Sequence, residues 1–202
     1  MKFVIAILIA YFLGSIPSGF ILGKIFKGID IRQYGSKNIG ATNVFRVIGV
    51  IPGIISFVFD FFKGYFAVQI GFWLLEGQYS CHQILIACIG VVVILGHILP
   101  IFLHFKGGKG VATGAGVFIN IIPYPTLLAV FAFAIILIIF RIVSCASIIA
   151  TLTLFVSELI INIPDFQEFA FLILTGIIMI LIIIRHKENI KRIINGKENE
   201  LW

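Results

Sequence analysis

Apolar runs of membrane length recur along almost the whole chain. Residues 3–23, 53–75, 83–103, 143–161 and 166–184 each come close to the ~20 apolar residues a helix needs to cross a bilayer core. Runs of that length restrict the fold to an all-α integral membrane protein, a polytopic bundle. Composition agrees: 60% of the 202 residues are hydrophobic and 12% are charged, too little polar surface for a soluble domain of this size. Residues 1–202 are expected to form a single membrane domain. The first run resembles a signal peptide in its early lysine, but its apolar character continues past Pro17 and no A-x-A-like site follows. It is read as a retained span. Cys81, Cys88 and Cys145 have no C-x-x-C spacing and read as small packing residues.

The stretch 111–140 is apolar but interrupted by "PYP" at 123–125. It is either one kinked span or two short ones, 111–122 and 126–140. Basic residues favour the cytoplasmic side, and that rule separates the two readings. With the N-terminus outside and two crossings, 13 of the 15 Lys and Arg fall inside, leaving Lys2 and the intramembrane Lys63. A single crossing moves Arg141 and the basic tail outside. Two crossings are therefore expected, giving about seven spans and a cytoplasmic C-terminus. The two short spans would measure only about 18–22 Å, needing a thinned bilayer or shelter by neighbours. Segments 24–51, 104–110, 141–147 and 185–202 then face the cytoplasm. The outside segments, 76–82 and 162–168, are short, so the chemistry is expected on the inner face.

Each inside segment carries polar residues. "DIRQYGSKNIGATNVFRVIG" (30–49) offers Ser36, Asn38, Thr42 and Asn43 as hydrogen-bonding groups, and Arg46 has the fork that grips phosphate oxygens. An ordinary loop with basic anchors is the alternative. "FKGGKGVATGAG" (105–116) is not a Walker A loop: Gly110 follows Lys109 where Ser or Thr is required, and the upstream Gly position is Leu103. Its glycines would still expose backbone N–H groups, a helix is expected to start near Val111, and Lys106 and Lys109 add charge. That points to an anion nest; a flexible turn with snorkelling lysines is the alternative. "RIVSCAS" (141–147) holds Arg141 and Ser144. "RHKENIKRIINGKENE" (185–200) places Ile190, Ile193 and Ile194 on one helical face, suited to the membrane surface. Asp60 and Lys63 lie within the second span, three apart, and can pair as structural support.

The chain has no H-x-x-x-x-D acyltransferase dyad, G-x-S-x-G elbow or metal-binding cluster. His97 and His104 have no acidic partner nearby in sequence, so neither a metal nor a cofactor is expected.

"GSKNIGATNVFR" (35–46), "GHILPIFLHFKGGKGVATGAG" (96–116) and "RHKENIKRIINGKE" (185–198) resemble the three signature motifs of the bacterial acyl-phosphate:glycerol-3-phosphate acyltransferases, the PlsY family. "LGSIPSGFILGKIF" and "DFFKG" are similar as well, so the resemblance runs through the chain in order. It departs at Cys145, where an aliphatic residue is expected. The resemblance implies a seven-helix enzyme of the bacterial inner membrane with a cytoplasm-facing site. The implied reaction moves a fatty acyl group from acyl phosphate to the 1-hydroxyl of glycerol 3-phosphate. Its products are lysophosphatidic acid and phosphate, in the first acylation of phospholipid synthesis. Position by position, it assigns chemistry to Ser36, Arg46, Lys106, Ser144, His186 and Asn189. It assigns phosphate binding to Asn38, Thr42, Asn43, Gly107, Gly108, Lys109, Gly110 and Arg141, and support to Glu198. The implied partners are the two substrates and membrane lipid, not nucleic acid, with room for a hand-over from the acyl-phosphate-forming enzyme.

Acyl phosphate is already activated, so direct attack by the glycerol hydroxyl is expected, without an acyl-enzyme. His186 or the substrate's own phosphate would take the proton. Ser144 is the weaker nucleophile reading, because no base lies near it in sequence. A small anion or organophosphate transporter is the rival from another class; it lacks an apparent inverted repeat, and the polar groups sit on one face. A scaffolding protein leaves the Gly/Ser/Asn/Lys loops unexplained.

Overall fold

The computed structural model describes residues 1–76, 82–161 and 166–201. Cys81 and most of segments 76–82 and 162–168 lie outside the described residues. All regular structure within them is helical. Five helices are long and apolar enough to cross a membrane, or six if a bent pair near the C-terminus counts as one. The chain divides into two compact units, Met1–Asn120 and Ile121–Trp202.

In the first unit the expected opening span is two helices, α1 (Lys2–Ser15) and α2 (Ser18–Lys27). The break has a local cause. Pro17 disfavours helical backbone in the residue before it, and Ile16 is extended, with ψ 115°. After a loop, α3 (Ala41–Val47) leads into α4 (Val50–Leu75), followed by α5 (His82–Ile98) and α6 (Val111–Ile121). Helix α1 packs on both α4 and α5. Lipid tails are as apolar as leucine, so helices gain little from apolar contact alone and need close backbone approach. Small residues supply it here. A methyl added at Gly14 would overlap the carbonyl of Val93 on α5, and one at Gly116 on α6 would overlap the carbonyl of Phe61 on α4. With 11 residues, α6 is about 16 Å long.

The second unit holds α7 (Pro123–Phe140), α8 (Val143–Ile161), α9 (Phe166–Arg185) and α10 (Lys187–Ile194). The stretch 111–140 is indeed two helices, but "PYP" is not the turn between them. The break falls at Ile122, and Pro123 opens α7, where its missing N–H is no loss. This makes α7 18 residues long. At its other end Arg141 takes the left-handed conformation (φ 57°) and donates its N–H to Leu137. Only two residues then separate α7 from α8, so the pair forms a hairpin, and 143–147 are helical. Between α9 and α10 the axis bends by 58° at His186. On α10, Ile190 and Ile193 are half-buried, whereas Ile194 is exposed.

Candidate functional site

In the first unit, the loop between α2 and α3 is organised by one side chain. Asn43 is buried (1% exposed). Its Oδ1 accepts from the Ser36 N–H at 2.8 Å, and its Nδ2 donates to the carbonyls of Asn38 (2.8 Å), Tyr34 (3.1 Å) and Ile31 (3.3 Å). Two N–H bonds serving three carbonyls leave Asn43 fully engaged in shaping the loop. Gly35, with φ 57°, lies against it where a methyl would overlap Oδ1. Asn38 Oδ1 accepts from the Gly40 N–H at 2.8 Å, an Asx turn leading into α3. Asp30 and Arg32 close the start of the loop with a two-point ion pair of 2.7–3.2 Å, and Arg32 also lies over the Phe20 ring. Arg32, which hydrogen-bonds to Asp30, holds that carboxyl below its ordinary range. Lys27 donates to the Val47 carbonyl at 2.6 Å, ending α3. The Ser36 side chain is exposed, while Thr42 and Arg46 stand half-buried on α3.

This loop meets the glycine loop. Ile31, Ile39 and Val44 share an apolar cluster with Leu103, and Asn38 Nδ2 makes a long 3.4 Å contact to the Gly107 carbonyl. Not every glycine N–H faces outward as the sequence suggests. The Gly107 N–H donates to Ile98 at 3.1 Å and that of Gly108 to His97 at 3.0 Å, tying the loop to the end of α5. The glycines are needed for approach as much as for donors: a methyl at Gly107 would overlap the His97 carbonyl and Pro100. The expected anion nest would then draw on the segment after these two, where Gly110 (φ 88°) turns into α6. Lys106 is exposed and Lys109 half-buried.

Sequence reasoning missed His97. Lys63 Nζ contacts Asp60 Oδ1 at 2.8 Å, as expected, but it also lies 2.7 Å from His97 Nδ1 and 3.2 Å from the Ile16 carbonyl. Ser18 donates to Asp60 Oδ1 at 2.7 Å. The acidic group that His97 lacks nearby in sequence is Asp60, reached through Lys63 one helix away; the intramembrane Asp–Lys pair was the available signal.

In the second unit, the C-terminal segment folds back. Glu198 accepts from Ser144 Oγ (2.9 Å), Asn189 Nδ2 (2.6 Å) and Arg192 Nε (2.6 Å), and the Leu201 N–H donates to the Arg141 carbonyl (2.7 Å). Four positions picked from sequence, Arg141, Ser144, Asn189 and Glu198, are thus gathered, with the Arg141 side chain exposed. Ser144 does have a carboxylate beside it after all. Burial pushes the Glu198 carboxyl up, but the hydrogen bonds from Arg192, Asn189 and Ser144 outweigh this and hold it below the ordinary 4.5. A carboxylate so engaged is a weak base, and its contact with Ser144 is a clasp. His186 is buried (1% exposed) with Nδ1 2.8 Å from the Ile182 carbonyl. A carbonyl only accepts, so Nδ1 carries a hydrogen, and in the neutral ring the lone pair is on Nε2.

Comparison with known proteins bears on the chain as a whole. The family model described as glycerol-3-phosphate acyltransferase matches residues 4–196. A glycerol-3-phosphate acyltransferase of Staphylococcus aureus (strain bovine RF122 / ET3-1) is 41% identical over 204 aligned residues, covering 100% of this chain and 98% of that protein. The corresponding protein of strain JH9 is 40% identical with the same coverage. Two crystal structures of PlsY (YgiH), an integral membrane glycerol 3-phosphate acyltransferase, are each 36% identical to this chain and cover 99% of it. The glycerol 3-phosphate form has a TM-score of 0.90 and the lysophosphatidic acid form 0.87, with 96% and 95% of those chains covered.

Proposed function

The chain belongs to the glycerol-3-phosphate acyltransferase family, as an all-helical integral membrane enzyme, and on that premise we propose that its acyl donor is a long-chain acyl phosphate. Glycerol 3-phosphate is the acceptor, and the products are lysophosphatidic acid and inorganic phosphate. The observation that carries the acceptor is the full-length likeness to PlsY, whose structures hold glycerol 3-phosphate in one form and lysophosphatidic acid in the other. The donor is supported by the cationic groups of the first unit. Arg46 and Lys106 flank loops rigidified by Asn43 and by the Gly107 and Gly108 hydrogen bonds, a setting for phosphate-bearing substrates. Ser36, Asn38, Thr42, Lys109 and Gly110 add donors there, and Arg141 adds one in the second unit; Asn43, Gly107 and Gly108 act by shaping their loops.

In the reaction the glycerol 1-hydroxyl oxygen attacks the acyl carbonyl carbon. The bond from that carbon to the phosphate oxygen breaks, phosphate leaves with the bonding pair, and His186 Nε2 takes the hydroxyl proton. Glu198 holds Asn189 and Ser144 in the same unit as His186. The enzyme is placed in the bacterial inner membrane with its site on the cytoplasmic side.

The test is purified protein with palmitoyl phosphate and glycerol 3-phosphate, without CoA or acyl carrier protein, following phosphate and lysophosphatidic acid together. Equal amounts of both are expected. Arg46→Ala and Lys106→Ala should each lower kcat/KM by about 10- to 100-fold, the size of one lost charge-assisted hydrogen bond. Phosphate without lipid would mark a hydrolase, and turnover with acyl-CoA alone would overturn the donor.

A further inference from the structure

We propose that His97 is a positioning residue for this acyl transfer, locked from below by the buried Asp60–Lys63 pair and supporting the glycine loop from above. The proposal rests on the glycine loop serving a phosphate-bearing substrate.

The contacts assign the state of the ring, with Lys63 as an ammonium. A lysine ammonium has three N–H bonds and no acceptor. Lys63 has three neighbours within hydrogen-bond distance: Asp60 Oδ1, the Ile16 carbonyl and His97 Nδ1. Two of these only accept, so the third contact, at 2.7 Å, makes His97 Nδ1 an acceptor too. His97 Nδ1 is 3.5 Å from Asp60 Oδ1, the spacing of two acceptors sharing one donor. The ring hydrogen is therefore on Nε2, assigned from the network. Nε2 is the edge that meets the glycine loop: a methyl at Gly108 would overlap Nε2, Cε1 and Cδ2. The His97 carbonyl holds the Gly108 N–H as well. One residue thus holds the loop by its carbonyl and packs its ring edge against it.

The cluster is unusual for a membrane helix bundle. Asp60, Lys63 and His97 are exposed by 2%, 6% and 5%, and Ser18 and Ser56 complete a buried polar group. Charges at membrane depth are costly. For stability alone, apolar residues of similar volume serve as well as a buried ion pair or better. What an ion pair adds is one defined arrangement, and here that arrangement ends at the loop. Lys63 also donates to the Ile16 carbonyl at the Pro17 break, so the lock is tied to the chain just before α2 as well.

The experiment uses full-length enzyme in detergent with glycerol 3-phosphate and palmitoyl phosphate. His97→Asn keeps an amide acceptor near the Nδ1 position and removes the Nε2 edge. His97→Gln places an amide near Nε2. His97→Asn is expected to raise KM for at least one of the two substrates by about tenfold while kcat stays within threefold, and His97→Gln to recover most of the loss. Unchanged KM values in His97→Asn would overturn the proposal. So would equal losses of thermal stability and kcat in both variants with KM untouched, which would mark a purely structural histidine. On the wild type, 15N-histidine spectra should show one ring with bare Nδ1 and protonated Nε2 that responds to glycerol 3-phosphate. With the His186 ring, of opposite tautomer, identified by its loss in His186→Ala, absence of a responding ring with bare Nδ1 and protonated Nε2 would overturn it even if His97→Asn fails to fold. Absence of wild-type turnover would instead count against the proposed reaction, whatever the spectra show.

Discussion

At the scale of single residues, the proposed chemistry turns on which nitrogen of His186 and of His97 carries a hydrogen. His186 donates from Nδ1 to the Ile182 carbonyl and keeps its lone pair on Nε2, the arrangement of a base; His97 has the reverse arrangement and can only donate at its loop edge. His186→Ala should therefore lower kcat by about 10²- to 10⁴-fold, the usual contribution of a positioned base, with KM within threefold in steady-state assays. Near-full kcat would leave the substrate phosphate as the base. Ser144 belongs to the clasp, since its hydroxyl donates to a carboxylate of weakened basicity. Mass spectrometry of enzyme quenched after mixing with palmitoyl phosphate alone should find the protein unmodified, whereas an acylated Ser144 would overturn direct attack. Much of this residue-level picture is legible in sequence, because motif residues keep their spacing. Asp60 and Lys63 can be paired on sight because a helix brings i and i+3 together. Neither histidine's tautomer is legible, since each depends on a partner that folding supplies, an acceptor for His186 and a donor for His97. For His97 that donor, Lys63, lies 34 positions away.

Among elements, the C-terminal segment is held by a carboxylate that acid would release. Glu198 joins the start of α8 to α10, and its carboxyl titrates below the ordinary 4.5 when folded. A group whose folded value is depressed contributes stability that is complete above the unfolded value and lost as pH falls through the folded one. The clasp should therefore hold at neutral pH and open only below about 4.5. Protease cleavage within 195–201 should rise across that range, and Glu198→Gln should show the same cleavage already at pH 7. Losing the charged acceptor should cost about 1.5–3 kcal/mol at the segment. Cleavage independent of both pH and Glu198 would mean the segment is held by other contacts. Sequence places this tail as a basic surface helix, and the helix is there. The fold-back is not legible, because it depends on Glu198 reaching Ser144 across 54 positions. The break in 111–140 is legible for the opposite reason: proline punctuates the chain locally, and the error is only one of placement, with Pro123 starting a helix instead of ending one.

For the whole molecule, the charge distribution and the helix inventory meet at the number of crossings. The helices α1 with α2, α4, α5, α6, α7, α8 and α9 would supply seven spans, but α6 falls short of bilayer thickness at about 16 Å. If α6 crosses, positive-inside placement puts 13 of 15 basic residues on the cytoplasmic side. If it does not, Arg141 and the tail around Glu198 face the other side, away from the substrates of a cytoplasmic enzyme. An odd number of crossings puts the two termini on opposite sides, and an even number puts them together. Single cysteines replacing Lys2 and Lys197, in a chain whose three native cysteines are serine, therefore settle the count by parity. A membrane-impermeant maleimide applied to right-side-out vesicles should label position 2 and spare position 197, and inverted vesicles should reverse the pattern. Labelling of both from one side would make 111–140 a single crossing. It would also put the Ser144–Glu198 clasp on the outer face, and the cytoplasmic role proposed for His186, Ser144 and Asn189 could not survive that result.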